Sequence, residues 1–378
     1  MMREKGYYFF FRKIESGQDS EVTVDGRRII MAGSNNYLGL TNHPRVKEAG
    51  IRAIEKYGCG CAGSRFLNGN LEIHEELEEK LARFFRKEAA LVFATGYQTN
   101  LGAISALVGR NDIAIIDKYD HASIIDGCRL SFGTVKKFRH NDMDDLEKTL
   151  QDARGKGKLI IVDGIFSMEG DITNLPPLVE IAKAHGARVM VDDAHGIGVL
   201  GKGGRGTAEH FDLENEVDLI MGTYSKSLAA IGGFVAGRKE IIEFIKHTGR
   251  SMMFSASLPP PLVASVSAAL DIIEEQPELR ARLWRNTRKM LQGYKALGFD
   301  TGNSETPIIP IILKDSIKVY EMCRLLFENG VFVNPVVSPA VPPGRELLRT
   351  SCMATHTEEQ LDQVLWAFEK VGKQLGVI

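Results

Sequence analysis

Between residues 89 and 237 the chain repeats one pattern, a short apolar run followed by a longer stretch with apolar residues at helical spacing. The runs are AALVF, IAIID, TVKKF, KLIIVD, ARVMVDD, VDLIMG and GGFVAG. Most are rich in Val and Ile without polar alternation, as strands covered on both faces require. Strands alternating with helices predict an α/β domain with a largely parallel sheet, helices front and back. Ahead of it, IHEELEEKLARFF has apolar residues three and four apart and predicts an amphipathic helix. After it, SLPPPLVASVSAALDIIEE opens on prolines, which suit the first turn of a helix, and continues as a long one. From about residue 276 the order is helix, IIPIIL, helix, VFVNPVV, LLRTS and an amphipathic helix over about 357–374, a small α+β domain. Near the amino terminus, EVTVDGRRIIMAG places a DG turn between two strand-like runs. The pattern thus divides the chain into residues 1–45, packing near the small domain, a large α/β domain over 46–275, and a small C-terminal domain over 276–378. No internal repeat or low-complexity linker interrupts it.

Composition adds exclusions. A length of 378 residues exceeds one ordinary core, in keeping with two domains. Hydrophobic residues at 44% and charged residues at 25% are those of a soluble globular chain. A formal net charge of −2 with no basic block argues against a nucleic-acid partner. The five cysteines (Cys59, Cys61, Cys128, Cys323, Cys352) are an odd set without CxxC spacing. They indicate neither a zinc site nor a disulfide framework, no metal is expected, and a reducing cytoplasm suits them. The aromatic run Tyr7–Phe11 is too short for a signal core or a membrane span. It suits an arm on a partner subunit or a patch in peripheral contact with lipid at the inner face of the cell membrane.

Four local features carry candidate chemistry, none decisive alone. VMVDDAHGIG puts Asp192, Asp193 and His195 at the carboxyl end of a buried strand, where open α/β sheets bind ligands. A carboxylate there could partner a pyridinium nitrogen, the electron-sink arrangement of pyridoxal phosphate (PLP) chemistry. Alternation along the strand favours Asp192 for that role and leaves Asp193 to brace the loop. MGTYSKSLAAIGG presents Lys226 in a tight turn beyond a strand, where a Schiff-base lysine would sit, with Thr223 placed to bond a phosphate. An isolated Ser-Lys pair is ordinarily a solvated surface feature. FATGYQTN sets Gly96 and Tyr97 at a strand-to-helix junction whose backbone N–H groups can hold an anion; alone, such a junction is as readily a structural turn. DKYDHASIIDG places His121 at a helix start, where its ring could stack on a flat cofactor or simply cap the helix. Ser167, in DGIFSMEGD, could reach the cofactor's phenolic oxygen together with His195 or merely occupy a turn.

Taken together, DHASIIDG, FSMEGD, VDDAHGIG and GTYSK resemble the α-oxoamine synthases of PLP fold type I, and the likeness runs over nearly the whole chain. It implies a large domain with a mostly parallel seven-stranded sheet flanked by helices, and a small α+β domain. It also implies decarboxylative condensation of an amino acid with an acyl-CoA. GCGCAGSRFLNGN, RHNDMDDLE, FSASLPP, GVFVNPVVSPAVP and LLRTSCMATHT look most like the soluble bacterial serine palmitoyltransferase branch, whose substrates would be L-serine and long-chain acyl-CoA. By resemblance, Lys226 is the Schiff-base lysine and Asp192 the partner of the ring nitrogen. His195 and Ser167 attend the phenolic oxygen, and His121 is the stacking base. Gly96, Tyr97 and Thr223 hold the phosphate. Ser255 of FSAS matches a position reaching the neighbour's phosphate in a homodimer with shared active sites. Asn35, His121 and Arg349 would hold the substrate carboxylate, a task suited to a planar guanidinium. Some bacterial relatives carry a second arginine before the proline-rich turn, where this chain has Ser338. Alternatives are another α-oxoamine synthase, such as 8-amino-7-oxononanoate synthase or 2-amino-3-ketobutyrate CoA ligase, an aminotransferase, and a silent regulatory subunit, against which Lys226, Asp192 and His121 together argue.

Overall fold

A computed structural model describes residues 7–153 and 157–378; the opening of the amino-terminal segment, residues 1–6, lies outside the described residues. The chain forms two compact units. One takes residues up to 42, 167–171 and 276–378; the other, larger unit takes 43–166 and 172–275.

Strands β1 (Glu21–Val24) and β2 (Arg27–Met31) form the hairpin that the DG turn predicts. Asp25 (φ 50°) and Gly26 (φ 70°) are both left-handed, as a two-residue turn matching strand twist demands. In the larger unit, β3 (Ala89–Phe93), β4 (Asp112–Asp117), β5 (Thr134–Phe138), β6 (Gly157–Asp163), β7 (Arg188–Asp192), β8 (Leu219–Thr223) and β9 (Gly233–Gly237) are the seven apolar runs. They form one sheet in the order β3-β9-β8-β7-β6-β4-β5, in which only β9 runs against its neighbours. β8 and β9 are buried at every position, which explains their lack of polar alternation. β5 lies at the edge, and its exposed Lys136 and Lys137 discourage pairing with another sheet. Helices α1 (Pro44–Tyr57), α2 (Glu72–Phe84), α3 (Gly96–Leu107) and α4 (Ala122–Leu130) belong to this unit, as does the helix Pro260–Glu275.

The parallel arrangement brings the carboxyl ends of four adjacent strands side by side. Thr223, Asp192, Asp163 and Asp117 end β8, β7, β6 and β4, and Asp163 and Asp192 are register partners. A polar row at the carboxyl edge of an open sheet is where such folds place their chemistry.

In the smaller unit, the run VFVNPVV is divided between two sheets. β10 (Ile308–Ile312), β11 (Val331–Phe332), β12 (Asn334–Val336) and β13 (Leu347–Ser351) give the orders β1-β2-β11 and β10-β13-β12. Pro335 has no N–H to donate, and Asn334 donates from Nδ2 to the Gly33 carbonyl at 2.6 Å just past the break. The last helix, Glu358–Gln374, starts at a capping box made by Thr357 and Gln360. In the aromatic run, Tyr7 stacks on Tyr320 at 6.0 Å and Phe9 is buried, whereas Phe11 is 93% exposed. No helix among the described residues is long and apolar enough to cross a membrane.

His356 ties this unit together from within. Its Nδ1 accepts from the Met353 N–H at 3.0 Å, and its Nε2 lies 3.2 Å from the Met31 carbonyl and donates to it. The bond accepted at Nδ1 needs a neutral ring, and burial pulls the pKa down to about 4 against the pull of the Met31 carbonyl. The unfolded chain therefore binds this proton first. Its contribution is complete above pH ~6.5 and is lost as pH falls towards 4, about 3 kcal/mol in all. Urea unfolding at pH 7, 5.5 and 4 is expected to show that loss, and His356→Gln, which keeps an acceptor and a donor but cannot titrate, is expected to flatten it.

Candidate active site

Asp192 is buried, with Oδ2 accepting from Asn100 Nδ2 at 2.7 Å and Oδ1 from the Ala194 N–H at 3.1 Å. Neutral donors thus hold it in place. Asp193 points to the other face, as strand alternation requires, and is fully buried against the Thr207 N–H (2.6 Å) and hydroxyl (2.8 Å). Burial pushes its pKa up to about 7 against the pull of these donors.

His121 caps α4. Its backbone N–H donates to Asp163 Oδ2 at 3.0 Å, and its Nδ1 accepts from the Ser123 N–H at 3.2 Å. His121 is exposed, yet its ring is partly desolvated. That desolvation pulls its pKa down; Asp192 opposes the shift and Lys226 adds to it, so both charges lie within electrostatic reach. Tyr97 presents its ring edge to His121 at 6.4 Å and hydrogen-bonds Asp126 through its hydroxyl.

Gly96 opens α3 under a Thr95 cap. A Cβ on Gly96 would lie 2.6 Å from Thr223 Oγ1, so the first turn of α3 can approach the end of β8 only because this residue is glycine. Thr223 Oγ1 donates to the Gly232 carbonyl at 3.0 Å and lies 3.0 Å from Ser225 Oγ. Lys226 follows in a turn closed by the Ala229 N–H to the Lys226 carbonyl, with Ala229 left-handed at φ 63°. Ser255 Oγ accepts from Gln98 Nε2 of the same chain at 2.8 Å, in the first turn of α3. His195 is buried three residues beyond Asp192.

The smaller unit gathers the rest. Arg349 is buried; its Nε donates to the Ser167 carbonyl at 2.6 Å and its Nη2 to Asn35 Oδ1 at 2.9 Å. Ser167 thus enters this cluster through its backbone. Tyr37 completes it, bonding Asn35 Oδ1 through its hydroxyl at 3.4 Å.

A buried carboxylate row ending parallel strands, a lysine in a tight turn beside it and a glycine-opened helix N-terminus recur across a large group of enzymes, and the family described as aminotransferase class I and II matches residues 27–368. This chain belongs to that family. A serine palmitoyltransferase (SPT) of Sphingobacterium spiritivorum is 54% identical, covering 100% of this chain and 94% of the relative. An 8-amino-7-oxononanoate synthase of Thermoanaerobacter pseudethanolicus is 48% identical, covering 100% and 96%. A high-resolution structure of SPT with PLP as its internal aldimine superposes with a TM-score of 0.97 at 39% identity, covering 100% of this chain and 96% of that one.

The residues present fit PLP. The close approach of Gly96 and Thr223 would leave the first N–H groups of α3 for a phosphate, and Asp192, buried at the end of β7, has the carboxyl that a ring nitrogen would need as its partner. Sequence reasoning missed Asn100, Ser123 and Asp163. Asn100 lies one helical turn beyond Gly96 and shares its face, the one signal that could have found it. Gly96→Ala is expected to force α3 off β8, costing about 1–3 kcal/mol in urea unfolding. The thermal stabilisation given by added PLP is expected to shrink in parallel, measured by melting with and without the cofactor.

Proposed function

We propose that this chain condenses L-serine with palmitoyl-CoA to give 3-oxosphinganine, CoA and carbon dioxide, the entry reaction of sphingolipid synthesis. The observation that carries the reading is the 54% identity to an SPT across the whole chain, above the 48% to an 8-amino-7-oxononanoate synthase. PLP, when bound, supplies the electron sink that makes the α-carbon of an amino acid acidic.

The chain's own residues do the rest. The α3 N–H groups of Gly96 and Tyr97, with Thr223, hold the phosphate. Asp192 would keep a proton on the ring nitrogen, His195 would attend the phenolic oxygen, and His121 would cover the ring face. Lys226 would carry the cofactor at rest and, when free, would remove the α-proton of serine as a base. Asn35 and Arg349 would hold the serine carboxylate. The α-carbon attacks the thioester, CoA leaves as the C–S bond breaks, the carboxylate departs as carbon dioxide, and Lys226 returns a proton to the α-carbon. Two copies form a homodimer with shared sites, Ser255 serving the neighbour. The exposed side chains of Leu67 (82%) and Phe254 (72%) favour a covered face. Five free cysteines suit a cytoplasmic chain, and the outward-facing Phe11 marks the point at which it would touch the inner membrane face.

Borohydride reduction followed by peptide mass spectrometry is expected to find the pyridoxyl group on Lys226, and Lys226→Ala is expected to lose both this label and the visible absorption while staying folded. Asp192→Asn is expected to bind PLP yet retain little turnover; activity near that of the parent would remove the electron-sink role. Substrate choice is decided by kcat/KM for serine, alanine and glycine against acetyl-, pimeloyl- and palmitoyl-CoA. Each buried CH₂ contributes roughly 0.8 kcal/mol, so a long-chain channel should strongly disfavour acetyl-CoA. Preference for alanine with pimeloyl-CoA would instead establish the oxononanoate reaction.

A further inference from the structure

Between Asp192 and His121 runs a buried hydrogen-bond chain. Asn100 Nδ2 donates one hydrogen to Asp192 Oδ2 at 2.7 Å and the other to Ser123 Oγ at 2.8 Å; Ser123 Oγ in turn lies 2.8 Å from His121 Nδ1. Asn100, Ser123 and Asp192 are all buried. The direction of every hydrogen is forced. A carboxylate only accepts, so the Asn100 amide must point its nitrogen at Asp192. Asn100 Oδ1 is then left buried without a hydrogen-bond partner, an arrangement that costs about 1–3 kcal/mol. Flipping the amide would set oxygen against carboxylate. The Ser123 hydroxyl, already accepting from Asn100, is free to donate onward. His121 Nδ1 also faces the Ser123 N–H at 3.2 Å, which can only donate, so that nitrogen must carry its lone pair.

We propose that Asn100 and Ser123 are positioning residues that tie the Asp192 carboxylate to the His121 ring and fix His121 as the Nε2–H tautomer, leaving a neutral N–H donor on its outer nitrogen. The proposal rests on the roles given above to Asp192 and His121, while the tautomer itself follows from the hydrogen-bond directions alone. The other groups facing the ring are Lys226 from the turn after β8, Tyr97 from α3, and Asp163, which holds the His121 backbone N–H from β6. Burial and Lys226 pull the ring's pKa down, although Asp192 pulls the other way. α3 and α4 lie close enough for the relay because a Cβ on Gly127 would come within 2.8 Å of the Asn100 carbonyl.

The test is nitrogen-15 NMR of histidine-labelled protein, with and without PLP. The parent should show His121 as Nε2–H in both. Ser123→Ala removes one of the two donors to Nδ1, so the His121 pKa is expected to rise while the remaining backbone N–H keeps the neutral ring as Nε2–H; Ser123→Thr should restore the parental titration. Asn100→Ala is expected to lower kcat/KM for serine roughly tenfold, the loss of one buried charge-assisted bond, with KM for the acyl-CoA unchanged. An Nδ1–H ring in the parent, a His121 titration that Ser123→Ala leaves unmoved, or a threonine variant that behaves like the alanine one would overturn the relay. Failure of the cofactor reading would show separately, as a missing pyridoxyl label on Lys226 with the His121 tautomer unaltered.

Discussion

Burial of the Asp192 carboxylate constrains everything around it. A carboxylate removed from water is costly unless its oxygens are bonded, and here the donors come from a helix amide on one side and a loop N–H on the other. That requirement fixes the position of α3, because Asn100 must reach β7 while Gly96, four residues earlier, lies against Thr223. A single helix thus reaches the Asp192 carboxylate and the end of β8 at once. It does so through two small residues: Gly96 lets the helix approach β8, and a Cβ on Gly233 would come within 2.7 Å of the Gly96 Cα.

The same edge of the sheet concentrates negative charge. Asp120 accepts from the backbone N–H groups of Asp117 and Asp163, and Asp163 accepts from that of His121, so the acids are woven into the backbone. Burial, together with their neighbours' charge, drives the carboxyl groups of Asp120 and Asp163 well above the ordinary range. Among the described residues no acidic or histidine cluster has the grouping of a metal site. His140 belongs to the same fabric, bonding Asp117 through Nδ1 at 3.0 Å and packing between Tyr119 and Phe166.

The smaller unit solves a different problem with a different device. Arg349 is buried by being spent on two neutral acceptors, the Ser167 carbonyl and Asn35 Oδ1, in a fork that matches its planar donors. Neither bond has a carboxylate partner.

Local pattern determined the strands and the principal helices, because a sheet buried on both faces leaves runs of Val and Ile that no other setting tolerates. It also determined the DG hairpin, because only a left-handed pair of residues closes it. The backbone settings of Lys226, Asp192 and Gly96, a turn, a strand end and a helix start, could be read from the chain, because short stretches of sequence reveal each of them. Asn100, Ser123 and Asp163 could not. Their neighbours in sequence mark them only as polar positions in a helix, a helix start and a strand end, and their partners lie 92, 2 and 42 residues away. The split of VFVNPVV and the use of the Ser167 carbonyl, not its hydroxyl, by Arg349 were likewise settled by pairing across the fold. Sequence determines which backbone conformations are cheap; which polar groups must satisfy one another is decided only when packing removes the water that would otherwise have served them.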